Sequence, residues 1–275
     1  MTGLRASRVL VVLCALAGAC GVRHDVATVA RTDIAALERH DAALAGALAG
    51  VREHPTADAH RRAALELIRL NVPDQAFDHL TAAISRNSDD AVAYDARARI
   101  WRDWQMPERA FEDARRALQL APRSAEVHNT MGTIFFALEQ PGEARREFTT
   151  AISIDPAAAY AANNLCYLAF LSGDTADAEA QCQRAIALEP DLAAARQNLA
   201  LVVAGTDIAR AERELMVGAN VARAQYNLGI LHLARGEFPQ ASVAFDLACG
   251  APTPVRDACA RARQAKAESA KVRLP

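Results

Sequence analysis

Residues 125–190 repeat themselves. The stretch "AEVHNTMGTIFFALEQPGEARREFTTAISIDP" is followed, at an offset of 34, by "AYAANNLCYLAFLSGDTADAEAQCQRAIALEP". Met131 falls on Leu165, Ala144 on Ala178, Ala151 on Ala185 and Pro156 on Pro190. A self-match of this period marks stacked helix–turn–helix units, each of which buries its apolar face only against its neighbours. The same frame extends in both directions. It gives four full units, 57–90, 91–124, 125–158 and 159–192, then a shortened unit over 193–221 and a sixth over 222–255.

Ala76, Ala110, Ala144 and Ala178 keep the frame, as do Ala83, Ala117, Ala151 and Ala185. Small side chains at these places let the two helices of a unit pack closely. Pro73, Pro107 and Pro141 fall where a second helix begins, at a position whose N–H has no intrahelical partner to lose. Pro122, Pro156 and Pro190 stop that second helix. The fifth unit has an in-phase first helix, "ARQNLALVV". Its second helix, about 208–217, is short and lies before "GAN", so the stacking is expected to be distorted there.

These positions resemble the tetratricopeptide repeat (TPR) family. The unit at 125–158 supplies His128, Met131, Gly132, Phe135, Ala144, Phe148, Ala151 and Pro156 at the family's characteristic places. The sixth unit supplies Leu228, Gly229, Gly236, Phe245 and Ala248. The first two units are looser, with Ala63-Ala64 and Arg97-Ala98 in place of Leu-Gly. The resemblance covers residues 57–255. It implies an all-α, right-handed superhelical solenoid of about six helix–turn–helix units with N- and C-terminal capping helices. A single capping helix is expected over 29–54, with Ile34, Leu37, Leu44, Leu48 and Val51 on one face. A polar helix over 255–271 is expected to cover the last apolar face.

The start of the chain reads as a targeting segment. Arg5 and Arg8 precede an apolar run of eleven residues, 9–19, which is too short to cross a bilayer and suits the core of a secretory signal. It ends in "LAGAC", which resembles a bacterial lipobox. That resemblance implies a signal peptide over 1–19, Cys20 as the lipidated residue, and a tether over 20–28. The alternative is an ordinary signal peptide that happens to contain Cys20.

Of the six cysteines, Cys14 and Cys20 belong to this segment. The remaining Cys166, Cys182, Cys249 and Cys259 are even in number, as expected of disulfides in an exported chain. Cys166 and Cys182 fall on the two helices of one unit, and Cys249 and Cys259 flank "GAPTP", so local pairing is the simplest of three connectivities. Plain core packing is the alternative for the first two.

No P-loop, GxGxxG, GxSxG or HExxH pattern occurs, and the seven histidines are scattered. No enzyme, metal or cofactor is therefore expected. A net charge of −2 argues against a nucleic-acid partner bound through its phosphates.

The TPR resemblance points instead to the concave face, lined by positions 2, 5, 6, 9 and 12 of each first helix. Carried over, these are Arg61 and Arg62; Asp95, Arg99 and Arg102; Asn129, Thr133 and Phe136; and Tyr160, Asn163, Asn164, Tyr167 and Phe170. The later units add Gln197 and Asn198, then Arg223, Tyr226 and Asn227. Amides that both donate and accept, beside flat aromatics, suit an extended peptide. Asn164, Asn198 and Asn227 share position 6 and look like the asparagine ladder of peptide-binding TPR proteins. The chain is therefore expected to be a non-catalytic scaffold for a protein or extended peptide. It is expected to be held at the outer membrane by its lipid and to act in pilus or secretion-system assembly. A soluble periplasmic location and an adaptor for peptidoglycan enzymes are the alternatives, with an enzyme of unrecognised type a distant third.

Overall fold

The computed structural model describes residues 33–217 and 220–272. The signal segment, the tether, Cys14 and Cys20 lie outside the described residues. The described residues form helices without strands and divide into two compact units, 33–158 and 159–272.

The first unit runs α1 (Ile34–His40), α2 (Ala42–Glu53), α3 (Ala57–Arg69), α4 (Pro73–Arg86), α5 (Ala91–Asp103), α6 (Pro107–Leu120), α7 (Ala125–Ala137) and α8 (Pro141–Ile154). Helices α3–α4, α5–α6 and α7–α8 pack as antiparallel hairpins, and the first helices α3, α5 and α7 also touch in sequence order. Thr56, Asp90 and Ser124 cap α3, α5 and α7, each accepting from the backbone N–H three residues on. Helices α4, α6 and α8 begin on Pro73, Pro107 and Pro141 and have no side-chain cap. Ala76, Ala83, Ala110, Ala117, Ala144 and Ala151 are all fully buried at the hairpin interfaces.

The second unit runs α9 (Ala159–Leu171), α10 (Thr175–Leu188), α11 (Ala193–Val203), α12 (Ile208–Met216), α13 (Val221–Arg235), α14 (Phe238–Cys249) and α15 (Ala258–Val272). Its core joins Leu199, Leu215, Tyr226, Ile230 and Phe245 to the alanines 258, 262 and 265 of α15. Disulfides Cys166–Cys182 and Cys249–Cys259 tie α9 to α10 and α14 to α15, the local pairing expected from the sequence.

One backbone device recurs at the turn inside each regular hairpin. Asn71, Gln105, Glu139, Gly173 and Gly236 all sit at position 15 of their units, and all have φ between 58° and 84°. The N–H of the next residue bonds back five residues, as in Val72 to Leu67 O, Met106 to Trp101 O, Gln140 to Phe135 O, Asp174 to Ala169 O and Glu237 to His232 O. This is the Schellman closure of a helix C-terminus. The fifth unit lacks it. Ala204 stays right-handed, and Asp207 N–H bonds only four residues back to Val203 O. Its helices α11 and α12 are correspondingly short, at 11 and 9 residues. The expected irregularity thus has a local cause, the loss of a left-handed turn residue.

The segment before the repeats differs from the expected single helix. Asp41 leaves the helical region (φ −126°, ψ 104°) and caps α2 by accepting from Leu44 N–H. The side-chain hydrogen bond from Arg69 of α3, together with Leu44 N–H, holds the Asp41 carboxyl below its ordinary pKa. Asp41 therefore serves both the local cap of α2 and a partner 28 residues away, Arg69. At the other end, α15 starts at Ala258, three residues later than expected. Among the described residues no helix is long and apolar enough to cross a membrane.

Candidate functional site

The first helix of each hairpin presents positions 5 and 6 to the neighbouring first helix. In the first unit, Asp95 of α5 (position 5) accepts a side-chain hydrogen bond from Thr130 of α7 (position 6). In the second, Asn198 Nδ2 of α11 (position 6) donates to Asn163 Oδ1 of α9 (position 5) at 2.9 Å. At the end of that unit, Arg261 Nε of α15 donates to Tyr226 Oη of α13 at 2.9 Å. Arg261 is position 6 of the frame continued past residue 255, so α15 stands where a further first helix would stand.

This register explains why some expected groove residues are buried. Asn198 is 6% exposed, Asn227 3% and Tyr226 8%. Asn198 spends its amide on Asn163. Tyr226 packs edge-on against Phe245 at 5.5 Å between ring centres, with the Arg261 guanidinium over its ring at 5.9 Å. At these places the position-6 side chains join one first helix to the next, and they face that neighbour rather than solvent. The proposed asparagine ladder is, at Asn198, an internal clamp.

Apart from Asp95, the remaining residues of the expected concave face are half-buried or exposed. Arg102 Nη1 of α5 (position 12) donates to Thr133 Oγ1 of α7 (position 9) at 2.8 Å, which places both on one face of the first unit. Arg99, Asn129 and Phe136 belong to the same two helices; Arg99 is exposed and the other two are half-buried. Tyr160, Asn163, Asn164, Tyr167 and Phe170 of α9 are half-buried, as is Gln197 of α11. Burial pushes the Tyr167 hydroxyl above its ordinary pKa.

The arginine-rich end of the first unit is not a bare cationic surface. Arg61 pairs with Asp58 and with Asp90 Oδ2 at 3.2 Å, Arg62 with Asp58, Arg99 with Asp95 at 3.5 Å, and Arg102 with Asp103 at 2.7 Å. Asp58, Asp90 and Asp95 are at helix starts or one turn in, and Asp103 ends α5, so the face is an array of ion pairs. Asp95 lies deepest, at 7% exposed, with Oδ1 buried and without a hydrogen-bond partner. Burial raises its pKa, against the opposing pull of Arg99, Thr130 and Arg102. The sequence placed Asp95 on this face, but its burial and its bond to Thr130 were missed. The signal was present in the offset of 35 between the two residues, one more than the repeat.

Glu147 and Glu179, on second helices, are bonded. Glu147 accepts from His128 Nδ1 at 2.7 Å, and Glu179 pairs with Arg210 of α12 at 2.6 Å. Among the described residues, no three His, Cys, Asp or Glu side chains gather as metal ligands would.

Residues 125–157 match the tetratricopeptide repeat family model. No curated protein matches the sequence. Among solved structures the chain is similar to a chain of the APC/C hetero-tetramer Cut9–Hcn1 (TM-score 0.69, 15% identity, 83% of this chain), of which it spans only 46%. It is also similar to PilW, described as a widely conserved type IV pilus biogenesis factor (TM-score 0.62, 21% identity, 74% of this chain and 97% of that one). A third is a tetratricopeptide repeat protein from Parabacteroides merdae (TM-score 0.62, 16% identity, 81% and 91%). At these identities the likeness establishes the fold. One repeat, 125–157, thus matches the family model, and the fold of the described residues is that of a tetratricopeptide repeat solenoid.

Proposed function

We propose that this protein is a non-catalytic scaffold that binds a protein partner, through an extended peptide segment, on the concave faces of its first helices. The observation that carries this reading is the Arg102–Thr133 bond. It joins positions 12 and 9 of adjacent first helices, the two helices that also carry Arg99, Asn129 and Phe136. The second unit offers Tyr160, Asn164, Tyr167 and Phe170 on α9. These are aromatic and amide groups suited to flat apolar contact and to backbone hydrogen bonding. The lipobox-like "LAGAC" and the likeness in fold to PilW support a place in pilus assembly at the cell envelope, with Cys20 as the anchor.

A photo-crosslinking side chain tests the face directly. Placed at Arg99 or Asn164 it captures a partner from intact cells; placed at Arg115 or Gln183, exposed on the second helices α6 and α10, it does not. Capture from the second-helix positions alone would overturn the concave assignment. Loss of surface fibres on deletion, with growth unchanged, tests the pathway, and metabolic palmitate labelling of wild type but not Cys20→Ala tests the anchor.

A further inference from the structure

The first hairpin brings two histidines face to face. His60 Nδ1 of α3 and His79 Nδ1 of α4 lie 3.0 Å apart, with ring centres 5.1 Å apart and planes inclined at 44°. They occupy positions 4 and 23 of their unit. The same two positions meet elsewhere in the chain. In the third unit they are His128 and Glu147, bonded at 2.7 Å. In the shortened fifth unit Arg196 (position 4) meets Glu214, one residue earlier because of the shorter turn, at 3.0 Å. Both of those pairs match a donor to a carboxylate. In the first hairpin the carboxylate is replaced by a second base.

A contact of this length between two ring nitrogens needs one proton and one lone pair. A singly charged pair still meets this need, an imidazolium Nδ1–H donating to the neutral ring's Nδ1; only when both rings are charged are both nitrogens donors, with two cations 3.0 Å apart in a part-buried place. The surroundings do not relieve this. Arg86 of α4 adds positive charge near His60, while Asp78 of α4 is the acid acting on His79. Neither α2 nor α5, the helices packed on this hairpin, contributes a charged group to either ring among the described residues. Asp58 and Asp90 are engaged by Arg61 and Arg62. His60 Nε2 is buried with no partner, so it has no carboxylate to hold a charged ring either.

We propose that the His60–His79 pair is an acid-sensitive latch: it holds α3 on α4 while it shares one proton, and it releases the hairpin when it takes up a second. Burial lowers the pKa of both imidazoles, first for His60 and with Arg86 adding to it. A base with a lowered folded pKa binds fewer protons when folded than when unfolded, so the closed hairpin is favoured at high pH. Stability is lost as the pH falls below about 6.5, the ordinary imidazole value. Each proton that the closed hairpin excludes raises its opening constant about tenfold per pH unit in that window.

The test is hydrogen exchange on the full chain between pH 7.5 and 5.0, corrected for intrinsic exchange rates, with imidazole titration followed by NMR. Protection of α3 and α4 falls with acid, while α7 and α8, clasped by His128–Glu147, keep theirs. His79→Glu, the residue of the third unit at this position, reverses the acid response. His79→Gln, the residue found there in the fourth unit as Gln181, flattens it. Equal acid responses of the two hairpins, or an unchanged response in His79→Glu, overturn the latch. So does a wild-type pKa at or above 6.5 for both rings, a reading that does not depend on how the variants fold.

Discussion

Gly132 lies directly under the ring of Phe148. A Cβ added to the glycine would stand 2.5 Å from Phe148 Cε1 and 2.7 Å from Cδ1. The relation recurs in the second unit, where a Cβ on Gly229 would come within 2.7 Å of Phe245 Cδ1 and Cε1. Phe148 is 3% exposed and Phe245 fully buried, so neither ring has room to retreat. In these two hairpins the first helix offers bare backbone to an aromatic ring of the second.

Gly132→Ala and Gly229→Ala are therefore expected to destabilise, although alanine is the better helix former by about 1 kcal/mol. Overpacking of about 1–3 kcal/mol outweighs that gain. Gly142 is the control. Nothing lies within 4 Å of its Cβ position near the start of α8, so Gly142→Ala should be neutral or stabilising. Urea denaturation of the three variants reads the contrast, and Phe148→Leu should rescue Gly132→Ala in a double-mutant cycle.

Position 15 supplies a prediction of opposite sign. Glu139 and Gln105 hold φ of 59° and 61°, where side-chain-bearing residues are strained, while Gly173 and Gly236 meet the same need without a Cβ. Glu139 is exposed in the turn. Glu139→Gly should be neutral to stabilising by up to about 1 kcal/mol, the strain relieved being partly offset by the greater freedom of glycine in the unfolded chain. A fall in denaturation midpoint would show that the Glu139 side chain holds the turn in some other way.

The two disulfides should part company on reduction. Cys166 and Cys182 are fully buried, whereas Cys249 at the end of α14 and Cys259 at the start of α15 are half-buried. Thiolate attack needs access to sulfur. Mild dithiothreitol on the native protein should open Cys249–Cys259 first, followed by alkylation and peptide mass mapping. Removing the Cys166–Cys182 link, which closes a loop of 16 residues, should lower stability by about 3 kcal/mol.

The repeat frame made most of the hairpins legible. Period 34 fixed the two alanine rows, the prolines at the starts of α4, α6 and α8, and the weak fifth unit. It did so because each feature answers to a contact inside one unit or with the next unit in register. The frame assigned positions without partners, and that is where the site reading fell short. Asn198 and Tyr226 sat on the concave list because their positions did, yet a residue one step off the repeat, Asn163 or Arg261, takes each of them up. His60 and His79 were only two of seven scattered histidines, because nothing in either one's neighbourhood in sequence pairs positions 4 and 23. Asp41 was lost for the reverse reason: its partner, Arg69, belongs to a different element altogether.

Asp95 gives the clearest dependence on pH. Its carboxylate is 7% exposed, one oxygen is unbonded, and burial raises its pKa above the unperturbed 3.8. A carboxyl whose folded pKa is raised holds its proton in the native state after the unfolded chain has released it. Stability contributed at this residue therefore falls as the pH rises from 3.8 through the native pKa, and the penalty is complete above it. Asp95→Asn keeps the shape and can still accept from Thr130, but it carries no charge to desolvate. The variant should be more stable than wild type at pH 7, and the difference should shrink as the pH is lowered and vanish below 3.8. Denaturation curves for both proteins at pH 3.5, 5 and 7 measure it. A constant difference across the series, or a less stable variant at pH 7, would mean that the Arg99 and Arg102 cations offset the burial of Asp95 in full.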